Sequence, residues 1–360
     1  MSPSMHRTSL FFVRHGQRID HVDSSWALSS PTPQDPPLTA LGQEQSQKTG
    51  AALASLLYAH RCQHHHIHHP HCHHQHRHQQ QQQQKEEDSS NMTPPDSPEA
   101  EAGEHLLPLP SRPQHVAIIT SPFLRCTQTA VELAKGIRSQ TADCHVTVAV
   151  EPGIAEWLSF EYVPQPVPES IIVQRMQDFA MTRREHEQYY TIDWKYRPHT
   201  TSLPAWPEAW DNMQRRVEAA YRHVISTYLD SVTTTAMSDK DVVVVFVSHA
   251  SPVNALLEAC LQTPTLVPIG LNSISQCSWI SEKDYQDQEQ ARYPLVALAS
   301  PPLGSTITST TTATTTTTAR NTATVSPSLD VAPKASPALT LAGQDGRWQL
   351  ELKASVAHLS

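Results

Sequence analysis

The sequence lacks the features that mark several common classes of protein. Among its 360 residues, acidic side chains outnumber Lys and Arg by 35 to 26, giving a net charge of −9. No basic stripe is available to neutralise a phosphate backbone, so we expect no nucleic-acid partner. The longest apolar run, VVVVFV at residues 242–247, is far too short to span a bilayer, so we expect no membrane partner.

We expect neither a secretion signal nor a disulfide framework. The opening residues MSPSMHRTSL contain no apolar stretch of the kind that a signal peptide needs. The spacing of the cysteines does not suggest a disulfide framework, and they are Cys62, Cys72, Cys126, Cys144, Cys260 and Cys277. We therefore expect a cytoplasmic protein, with the nucleus as a second possibility. The sequence gives no indication of oligomeric state.

Two low-complexity segments interrupt an otherwise ordinary composition. Residues 61–113 are rich in His and Gln, and residues 300–343 are rich in Thr, Ser and Pro. Neither has the apolar periodicity of a packed core, and we predict that both are disordered inserts. The eleven histidines of residues 60–78 are irregularly spaced, so we expect a repeat expansion rather than a metal site. The remaining 263 residues suit a single domain that spans residues 1–360 around the two inserts.

Short β-branched runs alternate with helical patterns along the rest of the chain. This alternation predicts a mostly parallel sheet with helices on both faces, a three-layer α/β/α sandwich. The predicted strands are Leu10–Val13, Val116–Ile119, Val146–Val150, Val242–Val247, Ser275–Ile280 and residues 347–353. The predicted helices are Thr39–Tyr58, Pro122–Ile137, Ile171–Tyr189, Glu208–Leu229 and Pro252–Leu261.

Two of these helices have a marked start. Ser121–Pro122 and Ser251–Pro252 each place an N-cap residue before a proline, directly after an apolar strand. We expect each start to direct free backbone N–H groups and the positive end of a helix dipole at a ligand above the sheet.

Charged and titratable residues follow the predicted strands where these end. Ligands bind beyond the carboxyl ends of strands in an open α/β sheet, so these side chains are expected to converge. They are Arg14 and His15 after the first strand, Arg125 near the second, Glu151 after the third and His249 after the fourth of the predicted strands. Two arginines, two histidines and a carboxylate are the set that phosphoryl transfer requires.

Each residue type has a role in such a reaction. A neutral His15 can attack phosphorus and carry the phosphoryl group covalently. Arg14 and Arg125 can hold the non-bridging oxygens, and His249 can stabilise their charge in the transition state. A partly protonated Glu151 can donate a proton to the leaving oxygen. Arginine supplies the positive charge, so the sequence predicts a reaction with no metal and no cofactor.

Four ordered segments resemble the histidine phosphatase superfamily, also called phosphoglycerate mutase-like. They are VRHGQRID, TSPFLRCTQTA, VEPGIAEW and VSHAS, and DPPLTALGQEQ at residues 35–45 resembles the entry to the first helix of that superfamily. The chain is most similar to the branch that contains the phosphatase domain of the suppressor-of-T-cell-receptor-signalling proteins. The similarity covers residues 8–60, 114 to about 280, and residues 346–360 in weaker form.

The resemblance implies a phosphatase that forms a phosphohistidine on His15. It also implies that Arg18 touches phosphate, and it leaves Glu156 as the alternative to Glu151 for the acid. Ser248 stands where the family often has glycine. The expected substrate is a phosphorylated small molecule or a phosphoprotein. A phosphomutase and a non-catalytic module that binds phosphorylated ligands are the alternative functions.

Overall fold

The computed structural model describes residues 9–65, 115–229, 242–283, 285–287, 339–341 and 344–359. The chain forms two compact units, one made of Met1–Trp279 with Trp348–Ser360 and the other of Ile280–Arg347. Most of the predicted inserts 61–113 and 300–343 lie outside the described residues.

The first unit is built on a mostly parallel sheet, as predicted. The strands of the chain are β1 (Ser9–Arg14), β2 (His115–Thr120), β3 (His145–Val150), β4 (Thr191–Ile192), β5 (Val242–Ser248), β6 (Ile274–Ser281), β7 (Leu339–Leu341) and β8 (Gln344–Ser355). The order in this unit is β4-β3-β2-β5-β1-β6-β8. Strands β1 to β5 pair in parallel, while β6 runs antiparallel to β1. The carboxyl ends of β1, β2, β3 and β5 therefore meet at one edge.

Helices cover both faces of this sheet. They are α1 (Trp26–Ser29), α2 (Ala40–His65), α3 (Leu124–Gln140), α4 (Ser170–His186), α5 (Trp210–Tyr228) and α6 (Ala250–Leu261). On one face, Phe11 joins a buried core with Leu53 of α2 and Leu133 of α3. On the other, the ring of Phe246 stacks on Phe12 at 5.4 Å and lies 6.0 Å from Tyr221 of α5. Alternate strand residues thus face opposite layers, which confirms the three-layer α/β/α sandwich.

The two predicted helix starts are wrong in detail. Helix α3 begins at Leu124, not Pro122, because Phe123 is extended and the backbone N–H of Leu124 donates to Asp35 Oδ1 at 2.7 Å. Helix α6 begins earlier, at Ala250, and His249 is its N-cap residue. Pro252 therefore lies within the first turn, where the missing N–H costs nothing. Neither Ser121 nor Ser251 is the N-cap residue.

Other element boundaries differ by a few residues from the predicted ones. Helix α2 continues to His65, seven residues beyond its predicted end and into the segment assigned to the first insert. The short strands β4 and β7 were not predicted. Strand β7 belongs to the second unit and pairs there with the start of β8, with Leu339 opposite Gly346, so the second insert is not wholly without regular structure. Within the described residues, no helix has the length and apolar character needed to cross a bilayer.

Candidate active site

His15 directly follows β1 and is buried, with 1% of its surface exposed. Its backbone N–H donates to Ser248 O at 3.0 Å, which joins the ends of β1 and β5. Its ring Nδ1 lies 2.8 Å from Gly16 O. A carbonyl oxygen can only accept, so Nδ1 carries the proton and the lone pair lies on Nε2. Burial, then the charges of Arg125, His249 and Arg14, hold the pKa of His15 well below its usual value, so the ring is neutral.

Gly16, whose carbonyl oxygen contacts this imidazole, is closely packed by its neighbours. A Cβ atom at residue 16 would lie 2.7 Å from Gly42 O and 2.9 Å from both Asn272 Nδ2 and Ser46 Oγ. The Gly16 N–H donates to Thr129 Oγ1 of α3 at 3.0 Å. Only glycine fits this position, because backbone and side chains close around it.

His249, between β5 and α6, lies beside His15 with the ring centres 5.3 Å apart. Its Nδ1 accepts from Arg125 Nε at 3.2 Å, and its Nε2 lies 2.9 Å from Ser121 Oγ. The same Nδ1 also lies 3.2 Å from Glu156 Oε2, so it accepts from Arg125 when it carries no proton and donates to Glu156 when it carries one. Burial lowers the pKa of His249 to about 4, against the opposing effect of Glu156. The ring also packs edge-on against Phe123 at 5.2 Å.

Two arginines flank the histidine pair and have unused donors. Arg125 has 2% of its surface exposed, and its guanidinium lies 4.5 Å from the centre of the Phe123 ring. Arg14 donates from Nη1 to Ile269 O at 2.7 Å. Arg14 Nε and Arg125 Nη1 are buried and have no hydrogen-bond partner within the described part of the chain. Buried unsatisfied donors are costly, so these N–H groups suit the binding of an anionic ligand.

Glu156 completes this group. Its Oε2 lies 3.3 Å from Arg125 Nη2 and 3.2 Å from His249 Nδ1, and its Oε1 accepts from the N–H of Trp157 at 3.0 Å. Burial opposes ionisation of Glu156, but His249, Arg125 and the Trp157 N–H outweigh it and hold the pKa of this carboxyl far below its usual value. Glu156 is therefore a carboxylate among these neighbours.

The donor atoms of His15, Glu156 and His249 lie within 4.8 Å of one another, a spacing that a metal ion could use. The guanidinium groups of Arg14 and Arg125 share the same space, however. Two fixed positive charges at short range oppose a cation and attract an anion. The electrostatics of the site thus fit a phosphate group better than a metal.

The structure does not bring Glu151 into this group, which reverses the sequence-based preference for Glu151 over Glu156. Glu151 is fully buried, and its carboxylate accepts from Tyr196 Oη at 2.6 Å, from the His199 N–H at 2.7 Å and from the Gly153 N–H at 2.7 Å. These three donors enclose it and tie the end of β3 to residues 196–199. The strand end was a poor guide because the chain turns in a short 3-10 helix, Pro152–Ile154, before Glu156 reaches the site.

Arg18 has a different partner from the one expected. Its Nε donates to Asp20 Oδ1 at 2.9 Å, and its Nη2 donates to the second oxygen of the same carboxylate. Its charge is nonetheless close enough to lower the pKa values of Arg14 and His249, although burial has the larger effect on each. Contact of Arg18 with phosphate stays a prediction.

Two contributors to the site were missed from the sequence. Ser121 was noted only as a helix cap, yet it binds His249. Arg216 of α5 donates to the backbone of the loop that carries Glu156, with Nη2 2.8 Å from Glu156 O. An arginine in a helix rich in charged residues gives no sequence signal for this contact.

The α/β sandwich thus carries a histidine pair and two arginines at the carboxyl edge of its strands. The chain belongs to the histidine phosphatase superfamily (branch 1), whose family model matches residues 71–291, more than half of the chain. That match confirms the superfamily resemblance. It includes Arg125, Glu151, Glu156 and His249 and begins after Arg14 and His15. No curated protein matches the chain.

Solved structures with a similar chain trace include three enzymes. The ecdysone phosphate phosphatase of Bombix mori, solved with tungstate, is 16% identical, with 85% of this chain and 96% of that chain covered and a TM-score of 0.44. A mycobacterial glucosyl-3-phosphoglycerate phosphatase is 16% identical, with 76% and 92% covered and a TM-score of 0.34. A phosphoglycerate mutase from Bacillus anthracis is 13% identical, with 76% and 89% covered and a TM-score of 0.35.

Proposed function

We propose that this protein hydrolyses phosphomonoesters through a phosphohistidine on His15 Nε2. One observation carries the proposal: a buried, neutral imidazole whose tautomer is fixed by Gly16 O lies among buried arginine donors that have no partner. Neutral imidazole is the nucleophilic form, and guanidinium groups match the oxygens of a phosphoryl group.

The reaction has two steps. In the first, His15 Nε2 forms a bond to phosphorus as the bond to the ester oxygen breaks, and the leaving oxygen takes a proton. In the second, water attacks the phosphohistidine, gives up a proton and releases inorganic phosphate, which restores neutral His15. Arg14 and Arg125 hold the phosphoryl oxygens in both steps, and His249 offsets their developing charge.

We propose Glu156 as the group that donates and then recovers this proton. Its carboxylate is within 3.3 Å of both Arg125 and His249, whereas Glu151 is enclosed by its own donors. The negative charge of a bound phosphate raises the pKa of a nearby carboxyl, so substrate binding favours protonated Glu156. In the second step the ionised carboxylate accepts the proton of the attacking water.

Hydrolysis is favoured over mutase chemistry by the state of nearby basic residues. A mutase must bind a second charged group of its substrate, so that the substrate stays in the site of the phosphorylated enzyme while it reorients. Arg175 is instead held by Asp178 at 2.9 Å and lies 3.7 Å from Asp35, and Arg197 Nη1 donates to Trp194 O at 3.0 Å. The substrate, the similarity to the suppressor-of-T-cell-receptor-signalling branch and the cytoplasmic location stay predictions.

Trapping of the phosphoenzyme tests the proposal. Brief exposure of the full chain to a phosphate-labelled aryl phosphate, followed by an alkaline quench, should give a phosphoprotein that is stable in alkali and labile in acid. His15→Ala should lose both the label and phosphate release. His223→Ala is the matched control, since within the described residues that ring contacts the backbone of Arg197 and the rings of Tyr196 and His199. Label on serine or cysteine, or bound substrate with no label and no turnover, would refute it.

A further inference from the structure

The loop that carries Glu156 has backbone carbonyls that no regular structure satisfies. Gly153, Ile154 and Ala155 are buried, and their carbonyl groups need partners where water is excluded. Ile154 O accepts from Ser248 Oγ at 2.7 Å. Gly153 O and Ala155 O each accept from Arg216 Nη1 at 3.0 Å, and Glu156 O accepts from Arg216 Nη2 at 2.8 Å. Four consecutive carbonyls are thus held by side chains.

Arg216 is itself fixed by Glu208. Its Nε lies 2.7 Å from Glu208 Oε1 and its Nη2 lies 2.8 Å from Glu208 Oε2. A guanidinium has five N–H donors in a planar fork, and all five are accounted for by these two contacts and the three carbonyls. Both side chains are largely enclosed, with 15% of Arg216 and 3% of Glu208 exposed.

Glu208 also holds the residues just after Glu156. The backbone N–H of Glu208 donates to Leu158 O at 2.9 Å, and Glu208 O accepts from Trp157 Nε1 at 2.9 Å. Trp157 in turn gives its backbone N–H to Glu156 Oε1 at 3.0 Å. The Arg216–Glu208 pair therefore fixes the chain on both sides of Glu156.

We propose that Arg216 and Glu208 are positioning residues that hold the Glu156 carboxyl at the leaving oxygen. This inference rests on the proposed role of Glu156 in proton transfer. Proton transfer requires the donor within hydrogen-bond reach of the leaving atom, and small displacements of a catalytic group cost rate steeply. Loss of the fork should therefore weaken proton transfer selectively and leave attack by His15 in place.

The measurement is kcat on two substrates, an activated aryl phosphate that needs little protonation and an alkyl phosphate that needs much. Glu156→Gln sets the reference, with a loss of about 10²–10⁴-fold on the alkyl phosphate and a far smaller loss on the aryl phosphate. Arg216→Lys keeps the charge but cannot reproduce the planar guanidinium contacts, so the Glu156 carboxyl should be displaced and kcat should fall by about tenfold or more on the alkyl phosphate alone. Glu208→Gln should shift the same ratio in the same direction.

The matched control lies on the same helix. Arg222 and Glu218 form an exposed pair at 2.7 Å, and no hydrogen bond within the described residues joins either side chain to the loop, so Arg222→Lys should leave the ratio unchanged. In the Glu156→Gln background, Arg216→Lys should add no further selective loss, because the proton donor is already absent. The rates of Arg216→Ala are measured together with its thermal unfolding. If this variant does not fold, the rate ratios of Arg216→Lys and Glu208→Gln test the positioning role.

Failure of the positioning role can be distinguished from failure of the proposed role of Glu156. Equal losses on both substrates for Arg216→Lys, while Glu156→Gln is selective, would overturn the positioning role and leave the proposed function intact. An unselective Glu156→Gln would overturn the role of Glu156 and the positioning inference with it.

Discussion

Replacement of Gly16 by alanine should displace His15 and so lower the reaction rate by more than the loss of fold stability explains. The new Cβ would lie 2.7 Å from Gly42 O, whereas ordinary contact begins at 3.4 Å, so the backbone must shift by about 0.7 Å at this point. Gly42 O belongs to the backbone of helix α2, so it cannot move away from the new Cβ as a flexible side chain could. The Gly16 carbonyl also fixes the His15 tautomer, so a shift at residue 16 moves the nucleophile directly.

This clash should lower both the free energy of unfolding and the rate of the reaction. Overpacking of this kind costs about 1–3 kcal/mol in the free energy of unfolding. Displacement of a catalytic group by about 1 Å can cost roughly 10²-fold in rate, so a loss of about 10–10²-fold in kcat/KM is expected for Gly16→Ala. The assay is aryl phosphate turnover well below the melting temperature, together with the amplitude of phosphoenzyme formation and a thermal unfolding curve.

A control of similar stability isolates the catalytic effect. Ile137→Val removes one methyl group from the buried core near the far end of α3 and should cost about 0.5–1.5 kcal/mol with kcat/KM unchanged. If Gly16→Ala is as active as Ile137→Val, the close packing at residue 16 does not position His15 and the reasoning is wrong.

Three further predictions concern titration, the first insert and the enclosed carboxylate. Folding depresses the pKa values of His15 and His249, so the unfolded chain binds more protons, and the melting temperature should fall as pH drops from about 6.5 toward 4. His249→Asn should flatten this dependence, and an unchanged slope would contradict a neutral His249. Replacement of residues 66–112 by a short Gly/Ser linker should leave turnover near its original value, because closure entropy grows slowly with loop length. Treatment of the full chain with a chelator should also leave turnover unchanged, because arginine supplies the positive charge of the site. Activity that is lost in the deletion, and that returns to the chelated full chain only when zinc is added back, would reveal a metal requirement. Glu151→Gln should cost about 1–3 kcal/mol in unfolding free energy, because the N–H₂ of the new amide must face another donor. The ratio of the alkyl phosphate rate to the aryl phosphate rate should not change. A loss of rate on the alkyl phosphate alone would instead make Glu151 the acid.

The strand ends and their charged residues could be predicted because they depend on local pattern. Runs such as VVVVF are typical of strands buried on both faces, and the parallel order then brings Arg14, His15, Arg125 and His249 together. Glu156 could not be placed in this way, since its position depends on a turn of three residues and on donors from a helix sixty residues away. The start of α3 was missed for a similar reason, because its first N–H is satisfied by Asp35 and not by a neighbour in sequence.

The order of the central strands has a consequence for synthesis of the chain. Strand β5 lies between β1 and β2, pairing with both, although it is made more than a hundred residues after β2. Residues 9–14 therefore have no parallel partner, and His15 has no Ser248 carbonyl to bind, until residues 242–248 have been made. A ribosome-bound or truncated chain that stops before β5 carries His15 and Arg125 but cannot assemble the site. Phosphate release would thus report that β5, the last of the parallel strands, has been inserted, and the long-range pairing predicts slow folding compared with a helical protein of the same size.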